Sequence, residues 1–551
     1  MMKTTRKMDT WQIISFVILA LYALFLVLPL GQLLLSSVIN DEGVFTWEYF
    51  QRFFSRETYY GTLLNSFKVA VAVTACALIV GILFSYFYSL FELKGKAFLQ
   101  IMAILACMSP PVIGAYSWIQ MFGRGGIFTK LIRSTFGVRM PDIYGFGGIV
   151  LVITCQLFPL VFLYINGALK NIDNSLIEAS SGLGCRSFKR FFTVILPLCM
   201  PTILAAGLLV FMRAFADFST PLLIGKGYQT FPVLIYNSFV GETSRSQNFA
   251  SAVSVVGIVV TAVIFLVQKT ANARFSFTMN AMHSIETHKA KPLPSILMHV
   301  YCYFIVLVAM MPQFFVAWQS FRKCKGGVFQ DGYSFDSYIE AFDRIFKRSL
   351  PNTFIIGVTA LIMVIFLAIL IAYLVVRRPN TANSVIDTLS MVPYIIPGAV
   401  VGIALVITFN RGPLVLTGTA AIMIIALIIR RLPYTIRSSV AILQQIPLSI
   451  EEAAISLGCS KLKAFFVVTV PMMTAGIMSG AIISWITIIT ELSTAIILYS
   501  VNTETLTLTV YTSVVQGYDG VAAAVATILL AVTTASLLLF MKLSKNKELS
   551  I

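Results

Sequence analysis

Two segments of this chain combine residue types suited to gripping another protein. Residues 175–197 read SLIEASSGLGCRSFKRFFTVILP and residues 449–471 read SIEEAAISLGCSKLKAFFVVTVP. Each opens Ser-x-x-Glu, the spacing at which an N-cap serine and a third-position glutamate satisfy each other's backbone N–H groups. Ser175 with Glu178 and Ser449 with Glu452 are the expected capping boxes. Small residues follow: Ala179, Ser180, Ser181, Gly182 and Gly184 in one segment, Ala453, Ala454, Ser456 and Gly458 in the other. They would let a partner surface approach the helix backbone. Basic residues come next, Arg186, Lys189 and Arg190, and then Lys461 and Lys463. Capping alone also explains both glutamates, if these are ordinary interfacial helices joining apolar segments.

A second pair of residues sits where charge is costly. Asp217 lies in FMRAFADFSTPLLIG and Glu491 in WITIITELSTAIILYS. A charge at mid-bilayer costs ~2.5–3.5 kcal/mol on insertion scales, so such groups face a cavity or a partner. Arg213, four residues before Asp217, offers an ion pair on the same helix face; Thr487 stands in its place before Glu491. Lining a cavity and pairing locally are both open to these carboxylates. Pro110-Pro111, and Pro393 with Pro397, should break two apolar segments, either as tolerated kinks or as irregular backbone beside a path. His283, His288 and His299 lack companions with metal-ligand spacing, so no bound metal is expected. No nucleophile–base arrangement is evident, and the chain reads as a non-enzyme.

The elements that hold these residues are membrane helices. Of 551 residues, 58% are hydrophobic and 11% charged, against about 25% charged in soluble proteins. Apolar stretches lie near 11–39, 62–91, 97–122, 146–169, 191–224 and 249–268. A second set lies near 295–320, 350–376, 385–409, 413–436, 466–498 and 521–541. Most reach the ~20 residues a helix needs to cross a bilayer. An outer-membrane barrel would instead alternate over about ten residues. The first stretch is too long for a signal-peptide core and is expected to be a retained span. The eight cysteines fall mostly in apolar segments or expected inner loops, so no disulfide framework is anticipated.

The two sets of six align. An offset of 287 pairs Asn65 with Asn352, Pro110 with Pro397, and Arg124-Gly125 with Arg411-Gly412. An offset of 274 pairs Pro159 with Pro433, Glu178 with Glu452, Pro197 with Pro471 and Asp217 with Glu491. One length change separates the two registers. Six spans per copy give both copies the same orientation, a parallel repeat about an axis along the membrane normal. The expected architecture is all-α and polytopic: a first repeat over 1–270, a cytoplasmic linker over 271–294 and a second repeat over 295–551. The net charge of +17 would suggest nucleic acid on a soluble protein. Here Lys and Arg outnumber acids mainly in the loops placed inside, which puts both termini in the cytoplasm. Arg430 and Arg431 are counted with those inner loops. The basic loops 123–145 and 321–349 are expected outside, where they offer charge to an acidic partner.

The duplicated segment resembles that of permease subunits of type I ABC importers: Glu-Ala-Ala, three residues, Gly, nine residues, then Ile-x-Leu-Pro. Copy two reads Glu452-Ala453-Ala454, Gly458 and Val468-Thr469-Val470-Pro471; copy one reads Glu178-Ala179-Ser180, Gly184 and Val194-Ile195-Leu196-Pro197. Ser180, Val194, Val468 and Val470 depart conservatively from the pattern. The resemblance covers nearly the whole chain. It implies that each segment is a coupling helix docking on a cytoplasmic ATPase subunit, with Glu178, Ala179, Gly184, Glu452, Ala453 and Gly458 at the contact. No Gly-x-x-x-x-Gly-Lys-Ser/Thr loop occurs, Gly95-Lys96 being followed by Ala97 and Gly225-Lys226 by Gly227. ATP and Mg would therefore sit on an ATPase dimer supplied in trans, and this chain would carry no cofactor. The resemblance also implies a bacterial inner-membrane location and an extracytoplasmic solute-binding protein.

The phrases ADFSTPLLIG and ELSTAIILYS…TETLTLTVY look most like fused ferric-iron permeases. Related permeases for phosphonates, sugar phosphates and thiamine share the architecture. On the iron reading, Asp217, Arg213 and Glu491 line a path between the fifth spans and help pass a cation, with Arg213 holding Asp217 ionised. An ion-coupled carrier with Asp217 and Glu491 as ion sites is the rival outside this family, and a non-transport membrane enzyme or assembly factor is a third. The duplicated motif favours the importer reading, since a carrier has no need for two such helices on the inner face.

Overall fold

The computed structural model describes residues 9–40, 42–185, 187–241, 247–275, 287–289 and 291–543. Among these, nine helices are long and apolar enough to cross a bilayer: Thr10–Val38, Glu57–Leu90, Phe146–Lys170, Phe191–Phe215, Gln247–Ala271, Pro292–Gln319, Asp336–Arg377, Lys461–Ile489 and Asp519–Phe540. Two bent pairs bring the number to eleven. The remaining expected span is the 26-residue helix Ala420–Gln445, which carries Arg430, Arg431 and Arg437. Arg430 and Arg431 therefore belong to a span and leave the inner-loop charge count. The fold is all-α, with one small hairpin, Arg322–Lys325 against Val328–Tyr333, inside the expected basic loop 321–349.

Proline explains both bends. Lys96–Met108 and Pro111–Phe136 meet at 97°, and Thr381–Ile395 and Gly398–Phe409 at 111°. A residue before proline is pushed out of the helical region. Accordingly Ser109 and Ile396, which precede Pro110 and Pro397, are extended. Pro393 does not share in the break; it lies inside Thr381–Ile395.

The apolar stretches 191–224 and 466–498 are not continuous spans. The fifth helices stop at Phe215 and Ile489, and short helices follow, Ser219–Ile224 and Phe231–Val240 in copy one, Ala495–Leu498 and Leu506–Gln516 in copy two. A carboxylate sits at each interruption. Asp217 accepts the N–H of Thr220 at 2.9 Å and Glu491 that of Thr494 at 3.0 Å. Each satisfies backbone donors at the start of a new helix.

Each copy packs its first span on the other copy. The Trp11 ring lies tilted 4.4 Å from that of Tyr373, Ser15 Oγ donates to Asn383 Oδ1 at 2.7 Å, and Tyr22 Oη lies 2.8 Å from Ser390 Oγ. Reciprocally, Tyr301 Oη donates to the Val80 carbonyl at 3.0 Å and Tyr303 Oη to that of Lys94 at 2.9 Å. The exchange ties the two repeats into one body.

Of the expected linker 271–294, residues 276–286 and 290, with His283, lie outside the described residues, as do Lys3, Arg6, Lys7 and Arg186. His288 pairs through its backbone, donating to the Leu90 carbonyl at 2.8 Å. His299 Nε2 accepts the Lys94 N–H at 3.0 Å, and its Nδ1 lies 2.7 Å from the Ser295 carbonyl, so this imidazole is occupied structurally. Among the described residues no group of three or more His, Cys, Asp or Glu is placed to hold a metal.

Candidate functional site: paired helix ends and a cationic cavity

The duplicated segments form two short helices, Asn174–Gly182 and Leu448–Ser456. Neither has the expected capping box. In copy one Asp173 is the N-cap, its side chain accepting the Ser175 N–H at 2.9 Å. In copy two the cap is Pro447, which offers no side-chain acceptor. In both copies the helix begins two residues earlier than Ser-x-x-Glu implies, so neither serine is at the N-cap. Glu178 is left on the exposed face, accepting from Asn174 Nδ2 at 2.8 Å. Glu452 is exposed as well. Ala179, Ala453, Gly184 and Gly458 are also exposed, so all six expected contact residues present themselves to solvent.

Both glycines are needed for conformation. Gly184 has φ +75° and Gly458 φ +96°, the left-handed region that ends helices. A Cβ on either would meet nothing within 4 Å, so the constraint is the backbone angle and not a close approach. The turn they make points an apolar side chain outward. Leu183 and Leu457, paired at offset 274, are each 89% exposed. Covering a leucine fully is worth about 1.5–3 kcal/mol. Two isolated leucines at matching helix ends are a surface that a partner would cover.

Behind these ends the copies differ. Glu451, buried beside exposed Glu452, accepts a short hydrogen bond from Tyr373 Oη, and Arg377 Nε lies 3.9 Å from its other oxygen. Arg377 Nη2 also donates to the Ile446 carbonyl at 2.6 Å, just before the short helix. Copy one has Ile177 and Leu90 at the positions of Glu451 and Arg377. Its packing there is apolar, with Tyr86 4.5 Å from Phe191, as Tyr373 is 4.7 Å from Phe465.

The membrane carboxylates also differ. Among the described residues Asp217 makes no ion pair with Arg213, against expectation; its turn is spent on Thr220. Glu491 has strong partners from the neighbouring helix. Arg430 Nη1 donates to its Oε1 at 2.5 Å, Arg431 Nη2 donates to its Oε2, and Ser493 Oγ donates to Oε1 at 2.6 Å. Glu491 is thus fully committed and is not a free ligand.

Arg213 instead faces a cavity of about 160 Å³. Its wall combines Leu209, Met212, Phe215 and Ala216 of copy one's fifth helix with Tyr394 to Pro397, Arg430 and Tyr434 of copy two. No residue of copy two's fifth helix lines it, so this cavity does not lie between the two fifth spans as expected. Phe215 borders it; Ile489 is buried elsewhere in the core. The tyrosine rings of 394 and 434 meet edge-on at 5.6 Å.

Sequence reasoning missed Arg430, Arg431, Tyr394, Tyr434 and Glu451, as well as the exposed leucines. A usable signal existed for some: two consecutive arginines inside AAIMIIALIIRRLPYTIR, and a leucine repeated at offset 274 on otherwise polar turns.

The sequence pattern described as "Binding-protein-dependent transport system inner membrane component" matches residues 96–277 and again residues 338–547. A relative, the ferric transport system permease protein FbpB of Actinobacillus pleuropneumoniae, is 27% identical over 538 residues, covering 95% of this chain and 77% of its own. The putative ferric transport system permease protein FbpB 1 of Haemophilus influenzae is 25% identical over 90% of this chain and 79% of its own. A putative 2-aminoethylphosphonate transport system permease protein, PhnU of Salmonella typhi, is 25% identical over 47% of this chain and 89% of its own.

Proposed function

This chain belongs to the family of inner membrane components of binding-protein-dependent transport systems, and from that premise we propose that it is the translocation subunit of an ATP-driven importer that brings ferric iron into the cytoplasm. The observation that carries the ATPase coupling is the pair of exposed helix ends, where Glu178 and Glu452 flank glycine-terminated turns that present Leu183 and Leu457. Two equivalent ends suit two copies of a nucleotide-binding subunit, which would hold ATP and Mg. A solute-binding protein on the opposite face would deliver the cargo. The repeats 1–270 and 295–551 then act as the two halves of one translocation unit.

Likeness to ferric permeases over nearly the full length supports iron. The phosphonate relative, together with the arginines of the cavity, favours phosphonate as the second reading. Arg213 has no hydrogen bond or ion pair among the described residues. A bare trivalent cation about 5 Å from an unpaired guanidinium is repelled by roughly 10 kcal/mol at an effective dielectric of about 20. Arg213 and Asp217 remain the residues proposed to border the path, while Glu491 anchors Arg430 and Arg431 beside it.

The test is Glu178→Lys combined with Glu452→Lys, reconstituted with the ATPase subunit and the binding protein. Uptake should fall at least about tenfold, the effect of ~1.4 kcal/mol of lost docking, while the membrane domain stays folded. Normal uptake would overturn the coupling role.

A further inference from the structure

The cavity between the repeats carries more positive charge than its surroundings balance. Arg213 reaches it from copy one, and Arg430 from copy two. Arg431 sits next to Arg430 on the same helix, and the pair share a single carboxylate, Glu491. Arg430 commits Nη1 to Glu491, Ser493 at 3.1 Å and Thr494 at 2.8 Å, yet its Nε is buried with no partner, as is Nε of Arg431. Tyr434, Tyr394, Tyr164 and Cys107 lie within electrostatic reach of Arg213, and none carries a negative charge in its ordinary state. Three guanidiniums against one carboxylate leave a surplus that a bound anion would neutralise.

The donors suit one chemistry. Guanidinium presents a planar fork that matches two oxygens of a phosphate or phosphonate, and desolvated forks hold such groups strongly. Tyrosine hydroxyls at 394 and 434 add neutral donors on the same wall. Among the described residues copy one offers no second such site. At the positions of Arg430, Arg431, Tyr434 and Tyr394 it has Gln156, Leu157, Leu160 and Cys107. The corresponding cavity, bordered by Gln156 and Pro110-Pro111, is about 20 Å³ and lined by no charged residue.

We propose that the cavity walled by Arg213, Arg430, Tyr394 and Tyr434 binds a compact tetrahedral oxyanion of the phosphate or phosphonate class. This deepens the transport reading on which it rests: an iron cargo would pass Arg213 accompanied by such an anion, and a phosphonate cargo would be held there itself.

Equilibrium binding of radiolabelled inorganic phosphate to the purified chain in nanodiscs tests the site directly. The wild type should bind about one phosphate per chain, and Arg213→Gln should weaken binding at least about tenfold. Because Arg213 has no partner to strand, that variant should keep its thermal midpoint. Tyr434→Phe should weaken binding by a smaller factor, and Gln156→Ala, in the opposite cavity, should leave it unchanged. No phosphate binding by folded wild type, or equal binding by Arg213→Gln, would overturn the proposal. A transport arm, with ATPase and binding protein in proteoliposomes, separates it from the cargo reading. Iron uptake that rises with phosphate and falls in Arg213→Gln supports both. Full iron uptake without any oxyanion, undiminished in Arg213→Gln, overturns the site and keeps iron. Uptake of 2-aminoethylphosphonate without iron keeps the site and overturns iron.

Discussion

The two repeats put equivalent residues to unequal use. At the fifth-helix break, copy one has Asp217, partly buried and accepting the Thr220 N–H, while copy two has Glu491, buried and clasped by Arg430 and Arg431. At the exposed inner ends, copy one's short helix buries Ile177, and copy two's buries Glu451, bonded to Tyr373. The surfaces that would meet a symmetric partner stay alike: Glu178 and Glu452, Gly184 and Gly458, Leu183 and Leu457. Duplication preserves these exposed ends. It relaxes the side chains around the cavity between the repeats, where buried charges need only balance once.

Substitutions at matched positions would break or sharpen this contrast. The largest difference is expected at the membrane carboxylates. Glu491→Gln strands two buried guanidiniums, and breaking a buried pair costs about 3–5 kcal/mol. Asp217→Asn keeps an acceptor for the Thr220 N–H and should cost under about 1 kcal/mol. Thermal midpoints in nanodiscs compare them, and equal losses would erase the asymmetry.

Next comes the carboxylate that the second short helix buries, Glu451. Tyr373→Phe removes a donor from Glu451 and should cost about 1–3 kcal/mol, the usual penalty for leaving a buried polar group short of a partner. Ile177→Val, the copy-one position matched to Glu451, should cost about 0.5–1.5 kcal/mol. Hydrogen exchange on the two short helices would show whether only copy two's end loosens in Tyr373→Phe.

A smaller and symmetric effect is expected at the helix ends. Gly184→Ala and Gly458→Ala force a Cβ into left-handed backbone at about 1–2 kcal/mol each. Their midpoints should drop alike. A drop in only one copy would show that the other turn can rearrange.

Smallest of all for stability are Leu183→Asp and Leu457→Asp, within about 0.5 kcal/mol of wild type because nothing packs on these side chains. Their effect belongs to docking: each should lower co-purification of the ATPase subunit, and the double variant should lose it. Undisturbed co-purification by the double variant would remove the leucines from the interface.

Much was legible in the sequence because its signals are local or periodic. Apolar length gave the helices, and two constant offsets gave the repeat. Prolines at 110–111 and 397 gave the bends, since a proline constrains its own backbone and that of the residue before it. The Glu-Ala-Ala and Gly pattern located both exposed helix ends. Charge pairing was not legible. Four-residue spacing made Arg213 the natural partner of Asp217, yet Arg213 points into the cavity and Asp217 caps a turn. The partners of Glu491 lie about sixty residues earlier, on a helix that only packing brings alongside. Capping failed for a related reason: whether a serine caps depends on where the turn starts, and the preceding loops set that start at Asn174 and Leu448. Local spacing therefore determined which helices exist and where they break. The distances that matter to charge, a few ångströms between side chains remote in sequence, were decided only when the helices packed.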